Sequence, residues 1–300
     1  MTINKQVEDL FGPDVEKYFT NKQVGGNSNQ NGSRYEDFFS VMQLAQLFQL
    51  LTNDDDDDKD DIEIYAQAEA FVDDLLIKFQ KHNIQHHFQL KTSPTVSWGN
   101  GLKSISDDFY KQKVLNDNLG VDITRTVLVC ANKENLARLQ KNMPENIGDF
   151  SDIVFFPEVE TINHLILIDN EFKTLIEYIC FSNDIDKLEA LAKLILGHWV
   201  DKKTTLSSVN ELLSTLENTF PNYLARSNVA VNLLPEVERI FSTITHFSFK
   251  IEKGYFSWRY HDFDSGTIPY SVDSNEFIAF QQEITSKHPK QFDELEGILL

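Results

Sequence analysis

The segment that most limits the fold is Arg125-Thr126-Val127-Leu128-Val129-Cys130-Ala131, an apolar, β-branched run of the kind found in strands buried on both faces. A sheet that holds such a strand needs helices on its sides, so the architecture is α/β. The flanking text supplies them. Phe38, Phe39, Met42, Leu44, Ala45, Leu47, Phe48 and Leu51 follow helical spacing, with Ser33 placed as N-cap and Glu36 as the third helical residue of a capping box. Ile62–Ala66, Phe71–Phe79 and Gln85–Thr92 read as three short strands, and Ser106–Leu115 and Lys133–Lys141 as helices. The order α-β-β-β-α-β-α predicts a mixed sheet flanked by helices over residues 1–145. Residues 20–33, dense in Gly and Asn, read as a loop.

Beyond Pro157 the pattern becomes that of amphipathic helices, at Glu171–Phe181, Asp184–Val200, Leu206–Phe220 and Leu234–Ile244. Residues 150–300 are therefore expected to form a second, mainly α-helical domain. A β-hairpin of Thr245–Lys250 and Tyr255–His261 turns at Lys253-Gly254, and Asp273-Ser274-Asn275-Glu276 caps a final helix.

Composition narrows the function. Forty-seven acidic residues against 27 Lys and Arg give a formal charge of −20, the wrong sign for a protein that coats nucleic acid nonspecifically. Phosphate contact would need a local patch, for which Lys103, Lys111, Lys113, Arg125, Lys133, Arg138 and Lys141 are the candidates. Residues 54–61 hold seven acids in eight positions and read as a solvated loop. Cys130 and Cys180, the only cysteines, exclude a disulfide framework and a CxxC metal site. Neither a bilayer-spanning apolar run nor a signal-peptide layout is present, so a cytoplasmic protein without membrane contact is expected. No P-loop, GxSxG or HExxH occurs. His82, His86 and His87 lack the helical spacing to converge on zinc and read as surface histidines. Trp258 and Tyr260 read as core aromatics beside Arg259.

The informative constellation lies in the first half. Residues two apart on a strand share a face, so Gln89 and Lys91 project together while the Leu90 side chain turns inward and its carbonyl stays available. An aspartate opening the neighbouring strand, Asp73 or Asp74, lies across from them. A carboxylate, an amide oxygen and a main-chain oxygen around one point suit Mg2+. Lys91 beside such an ion would orient or deprotonate the attacking water and offset charge on a phosphodiester. The reaction implied is phosphodiester hydrolysis.

Gln89-Leu90-Lys91 resembles the Gln-x-Lys variant of the PD-(D/E)XK restriction-endonuclease superfamily. The text from about residue 24 to 142 is similar to the nuclease domains of anti-phage effectors, both the CBASS-associated double-stranded DNA endonucleases and the Lamassu-type nuclease subunit. Gly25-Gly26 precedes a helix carrying Tyr35-Glu36, followed by Val72-Asp73-Asp74-Leu75 and Phe88-Gln89-Leu90-Lys91. The resemblance implies a restriction-endonuclease-like fold and Mg2+-dependent cleavage of double-stranded DNA in phage or plasmid defence. It implies a core site of Asp74, Gln89 and Lys91, with Glu36 completing the metal environment and Asp73 as the competing aspartate. Asp73 and Asp74 point to opposite faces, and the sequence does not decide between them. A neutral Gln in place of the usual Glu removes one negative charge from the site. The last 150 residues show no nucleotide-sensing domain, so control by a partner subunit, such as an SMC-like ATPase, or by homo-oligomerisation is expected. The rival reading is a catalytically inactive nuclease-fold scaffold that binds DNA or docks a protein.

Overall fold

The computed structural model describes residues 2–28, 34–53, 61–226, 233–261 and 264–299. The chain forms two compact units, one of Met1–Lys173 with Ala192–Leu216, the other of Thr174–Leu191 with Glu217–Leu300.

The first unit opens with helices α1 (Ile3–Phe11), α2 (Pro13–Ser28) and α3 (Arg34–Asn53). Strands β1 (Ile62–Ala66), β2 (Leu75–Phe79) and β3 (Ile84–Lys91) follow, then α4 (Ile105–Asn118), β4 (Ile123–Cys130), α5 (Lys133–Lys141) and β5 (Ser151–Phe155). The chain then runs through α6 (Ile162–Ile168), α7 (Asn170–Ile179) and α8 (Ile185–Lys202), of which α7 from Thr174 and α8 up to Leu191 belong to the second unit, and returns to the first with β6 (Ser207–Ser208) and most of α9 (Val209–Thr219). The six strands form one mixed sheet in the order β5-β4-β3-β2-β1-β6. β1, β2 and β3 pair antiparallel, whereas β3, β4 and β5 run parallel.

The run at 125–131 is covered on both sides, as its composition requires. Leu128 and Cys130 pack with Trp98, Phe109 and Leu139 on one face. On the other, Phe39 of α3 lies 5.4 Å, ring to ring, from both Phe88 and Phe156. Helices α1 and α2 close over the unit through Val7, Val15 and Phe19, which cluster with Phe71 and Leu115.

Two local expectations are corrected. The loop foreseen at 20–33 is helical through Ser28. Pro13 at the first helical position, with Asp14 and Glu16 in the first turn, favours a helix start, and buried Val15 and Phe19 anchor it, so packing outweighs the Gly and Asn content. The strand foreseen from Phe71 begins only at Leu75, because the Phe71 and Val72 N–H groups are taken by Gln112 Oε1 of α4, at 2.7 and 3.3 Å. Ser33, foreseen as the α3 cap, and acidic residues 54–60 lie outside the described residues.

The second unit contains α10 (Pro235–Thr243), β7 (Phe247–Glu252), β8 (Tyr255–Tyr260), β9 (Asp264–Ser271), α11 (Asn275–Lys287) and α12 (Phe292–Leu299). The foreseen hairpin is a three-stranded antiparallel sheet, β7-β8-β9. Gly266 and Pro269 hid β9 from pattern reading, but an edge strand tolerates proline, and Gly266 lies against the Trp258 indole, where a Cβ would come within 2.9 Å. Ser274 caps α11, accepting from Phe277 N at 3.1 Å, as its motif predicts. Trp258 belongs to this unit's core, and Tyr260 stacks on Phe292 at 3.8 Å. No helix among the described residues is long and apolar enough to cross a membrane.

Candidate active site

The site forms where β2 and β3 part. Their pairing ends at Leu75 and Phe88, so Asp74 precedes β2 while β3 continues alone on that side through Gln89, Leu90 and Lys91. Main-chain groups of successive strand residues face alternate neighbours. The Lys91 carbonyl accepts from Ala131 N at 3.2 Å on the β4 side, so the N–H and C=O of Leu90 face the gap left by β2. Asp74 fills that gap: its Oδ2 accepts from Leu90 N at 2.7 Å and from the Gln89 side-chain amide. The structure therefore joins Asp74, rather than Asp73, to the Gln89-Leu90 pair.

Glu36 enters from the first turn of α3. Its carboxyl is half-buried and, among the described residues, accepts no hydrogen bond. Burial, with the charges of Asp74 and Asp37, pushes its pKa up to about 7, against the opposing pull of Lys91 and Lys203. Lys203 is committed elsewhere, pairing with Asp37 at 2.8 Å. Lys91 is half-buried, makes no ion pair within 4.0 Å among the described residues, and acts on Glu36 through its charge.

Asp73 faces the other way, buried at 5% exposure. Its Oδ1 lies 3.2 Å from Lys22 Nζ of α2, a residue that pattern reading did not single out. Lys22 also reaches Asp108 Oδ2 at 3.1 Å, Gln89 Oε1 at 3.3 Å and the Phe71 carbonyl. Burial works against the Lys22 charge, but Asp73 and Asp108 more than offset it and raise its pKa. Burial lifts Asp73 to about 6, with Asp74 adding to the rise and Lys22 opposing it.

The donor set fits a hard cation in part. Two carboxylates, Asp74 and the hydrogen-bond-free Glu36, stand close enough for one to raise the other's pKa, and the Leu90 carbonyl opens to the same gap. Gln89 departs from its expected role as an oxygen donor. It shows Asp74 its amide nitrogen and turns its oxygen to Lys22. Among the described residues no cluster of three His, Cys, Asp or Glu side chains is placed to hold a metal.

Of the three histidines expected at the surface, His82 is exposed and His86 half-buried, but His87 is not. His87 is 1% exposed, with Nδ1 at 3.2 Å from the Val72 carbonyl and Nε2 at 3.1 Å from Asn116 Nδ2, and burial drives its pKa down to about 3. Of the foreseen basic patch, Lys111 is buried against Asp107 and Lys113 pairs with Asp117. Lys103, Arg125, Lys133 and Lys141 remain exposed. No protein-family model, no curated protein and no solved structure matches this chain.

Proposed function

We infer that this chain is a divalent-metal-dependent phosphodiesterase of the PD-(D/E)XK type, acting on double-stranded DNA in the cytosol during anti-phage or anti-plasmid defence. Partner control, by an SMC-like ATPase or by self-association, belongs to the same reading. The observation that carries it is the Asp74 carboxylate seated on the Leu90 N–H, next to the Gln89 amide and one residue from Lys91, with its charge acting on a Glu36 carboxyl that accepts no hydrogen bond among the described residues. The strand order supports it as well, since an antiparallel β1-β2-β3 meander continuing into parallel β4 places an acid before β2 beside an amide-x-lysine on β3.

Asp74, Glu36 and the Leu90 carbonyl would hold Mg2+, which supplies charge neutralisation at a phosphate and an activated water when bound. Lys91, which makes no ion pair within 4.0 Å among the described residues, is the group that would orient the attacking water or stabilise charge on a non-bridging phosphate oxygen. Of the foreseen site residues, Asp73 is left outside this set by its ion pair with Lys22. One observation favours the rival reading of an inactive scaffold: Gln89 faces Asp74 with nitrogen, which cannot ligate a cation.

The test is supercoiled plasmid incubated with the full chain and Mg2+, alone and with an SMC-like ATPase, beside Lys91→Ala. Nicking by the parent and none by the variant is expected. Equal cleavage by both removes the mechanism, and preference for single-stranded RNA over duplex DNA removes the substrate.

A further inference from the structure

The Lys22 ammonium sits in a cage of four oxygens, Asp73 Oδ1, Asp108 Oδ2, Gln89 Oε1 and the Phe71 carbonyl, although it has only three protons to donate. Tyr18 OH donates to Asp108 Oδ2 at 2.8 Å, yet buried Oδ1 of Asp108 and Oδ1 of Asp73 accept no hydrogen bond among the described residues. Buried carboxylate oxygens without a donor are costly, and Lys22 is the one ammonium among the described residues that contacts both carboxylates, with Lys111 adding a more distant pull on Asp108.

The Gln89 amide lies between this cation and the Asp74 anion. Its oxygen meets Lys22 and its nitrogen meets Asp74. Turning the amide over would set N–H2 against an ammonium and oxygen against a carboxylate, so two repulsions hold the present orientation. That orientation is the one in which Gln89 offers nothing to a cation beside Asp74.

We propose that Lys22 is a positioning residue that locks the Gln89 amide in its non-ligating orientation, so that the Asp74–Glu36 site takes up a divalent cation fully only when the α2 ammonium leaves its cage. Helix α2 then does more than cover the sheet: it carries a built-in stop on metal entry, and whatever moves it governs the site. This rests on the reading of Asp74, Glu36 and Leu90 as the metal-holding set, but its test reads metal binding and not cleavage.

Mn2+ titrations of the full chain, followed by the loss of the free-ion paramagnetic signal, compare the parent with Lys22→Met, which keeps the apolar stem and removes the charge. The expected result is affinity higher by about tenfold or more. Lys22→Met adds one unit of uncompensated negative charge to the cage, so Lys22→Met/Asp108→Asn, which keeps the parent's net cage charge, is measured beside it. Lys22→Arg retains a cation and is expected to bind Mn2+ as weakly as the parent. Adding Glu36→Gln to Lys22→Met should abolish the gain. Unchanged or weaker binding in the folded charge-removed variants overturns the proposal, and so does a gain that survives Glu36→Gln, since the ion would then occupy the emptied cage. Tighter Mn2+ binding with plasmid left intact would sustain the lock and reject the nuclease.

Discussion

Replacing Glu36 by glutamine separates what this residue does for folding from what it does for chemistry. Its carboxyl is half-buried, has no hydrogen-bond donor among the described residues, and faces Asp74 and Asp37 against the weaker help of Lys91 and Lys203. Its pKa therefore rises from an ordinary 4.5 to about 7. A raised carboxyl pKa means the folded state binds the proton more tightly than the unfolded chain, so the contribution is fully present below about 4.5 and is lost as pH climbs through about 7. Undiscounted, a shift of this size corresponds to about 3 kcal/mol at alkaline pH. The group is half-buried, and halving for solvent screening leaves about 1.5 kcal/mol. Glu36→Gln should thus stabilise the metal-free protein by about 1.5 kcal/mol near pH 8 and by much less near pH 5, read from denaturant midpoints at the two pH values. The same variant should lose Mg2+-dependent plasmid nicking. A gain of stability coupled to loss of activity is the pattern of a strained functional group. A variant no more stable than the parent near pH 8, or equally stabilised at both pH values, refutes the electrostatic reasoning.

Asp74→Ala strips the acceptor from the Leu90 N–H and the Gln89 amide and should cost about 1–3 kcal/mol in urea unfolding, whereas Asp74→Asn, which keeps an oxygen there, should cost under about 1 kcal/mol and still abolish nicking. His87 has the opposite sign to Glu36: its pKa is depressed to about 3, so its contribution is present above about 6.5 and is lost as pH falls toward 3. Between about pH 8 and pH 5 the parent should therefore lose about 2 kcal/mol relative to His87→Gln, and parallel stability curves for the two would contradict this. Gly266→Ala drives a Cβ to within 2.9 Å of the Trp258 indole and should cost about 1–3 kcal/mol in the second unit, read as a lowered Tm; a shift worth under about 0.5 kcal/mol would show that the indole gives way freely.

What sequence periodicity carries, and what it does not, is visible residue by residue. Helix α5 spans Lys133–Lys141 as foreseen because a single local device, the Asn132 side chain accepting from Glu134 N and Asn135 N, sets its start. Gln89 and Lys91 were identifiable because strand alternation is local. Lys22 was not, because its partners lie 49 to 86 residues away and its own stretch is rich in Gly and Asn. His87 shares its strand face with Gln85 and Gln89, which reads as solvent-facing, yet Gln112 and Asn116 of α4 cover that face with a buried polar network. The choice between Asp73 and Asp74 needed the point at which β2 leaves its partner, and this is set by Gln112 from a distant helix.

The two-residue strand β6 has a consequence for biosynthesis. It lies beside Glu63 and Ile64 of β1, and the nearby Lys203 carbonyl accepts from Ala66 N at 2.8 Å while its ammonium grips Asp37. The border of the sheet is thus sealed by residues translated some 140 positions after the strand they protect. Until that stretch leaves the ribosome, the nascent chain displays a row of unpaired amides on β1, open to docking by any extended peptide. Closure of this border therefore waits on the order in which the polymer is made.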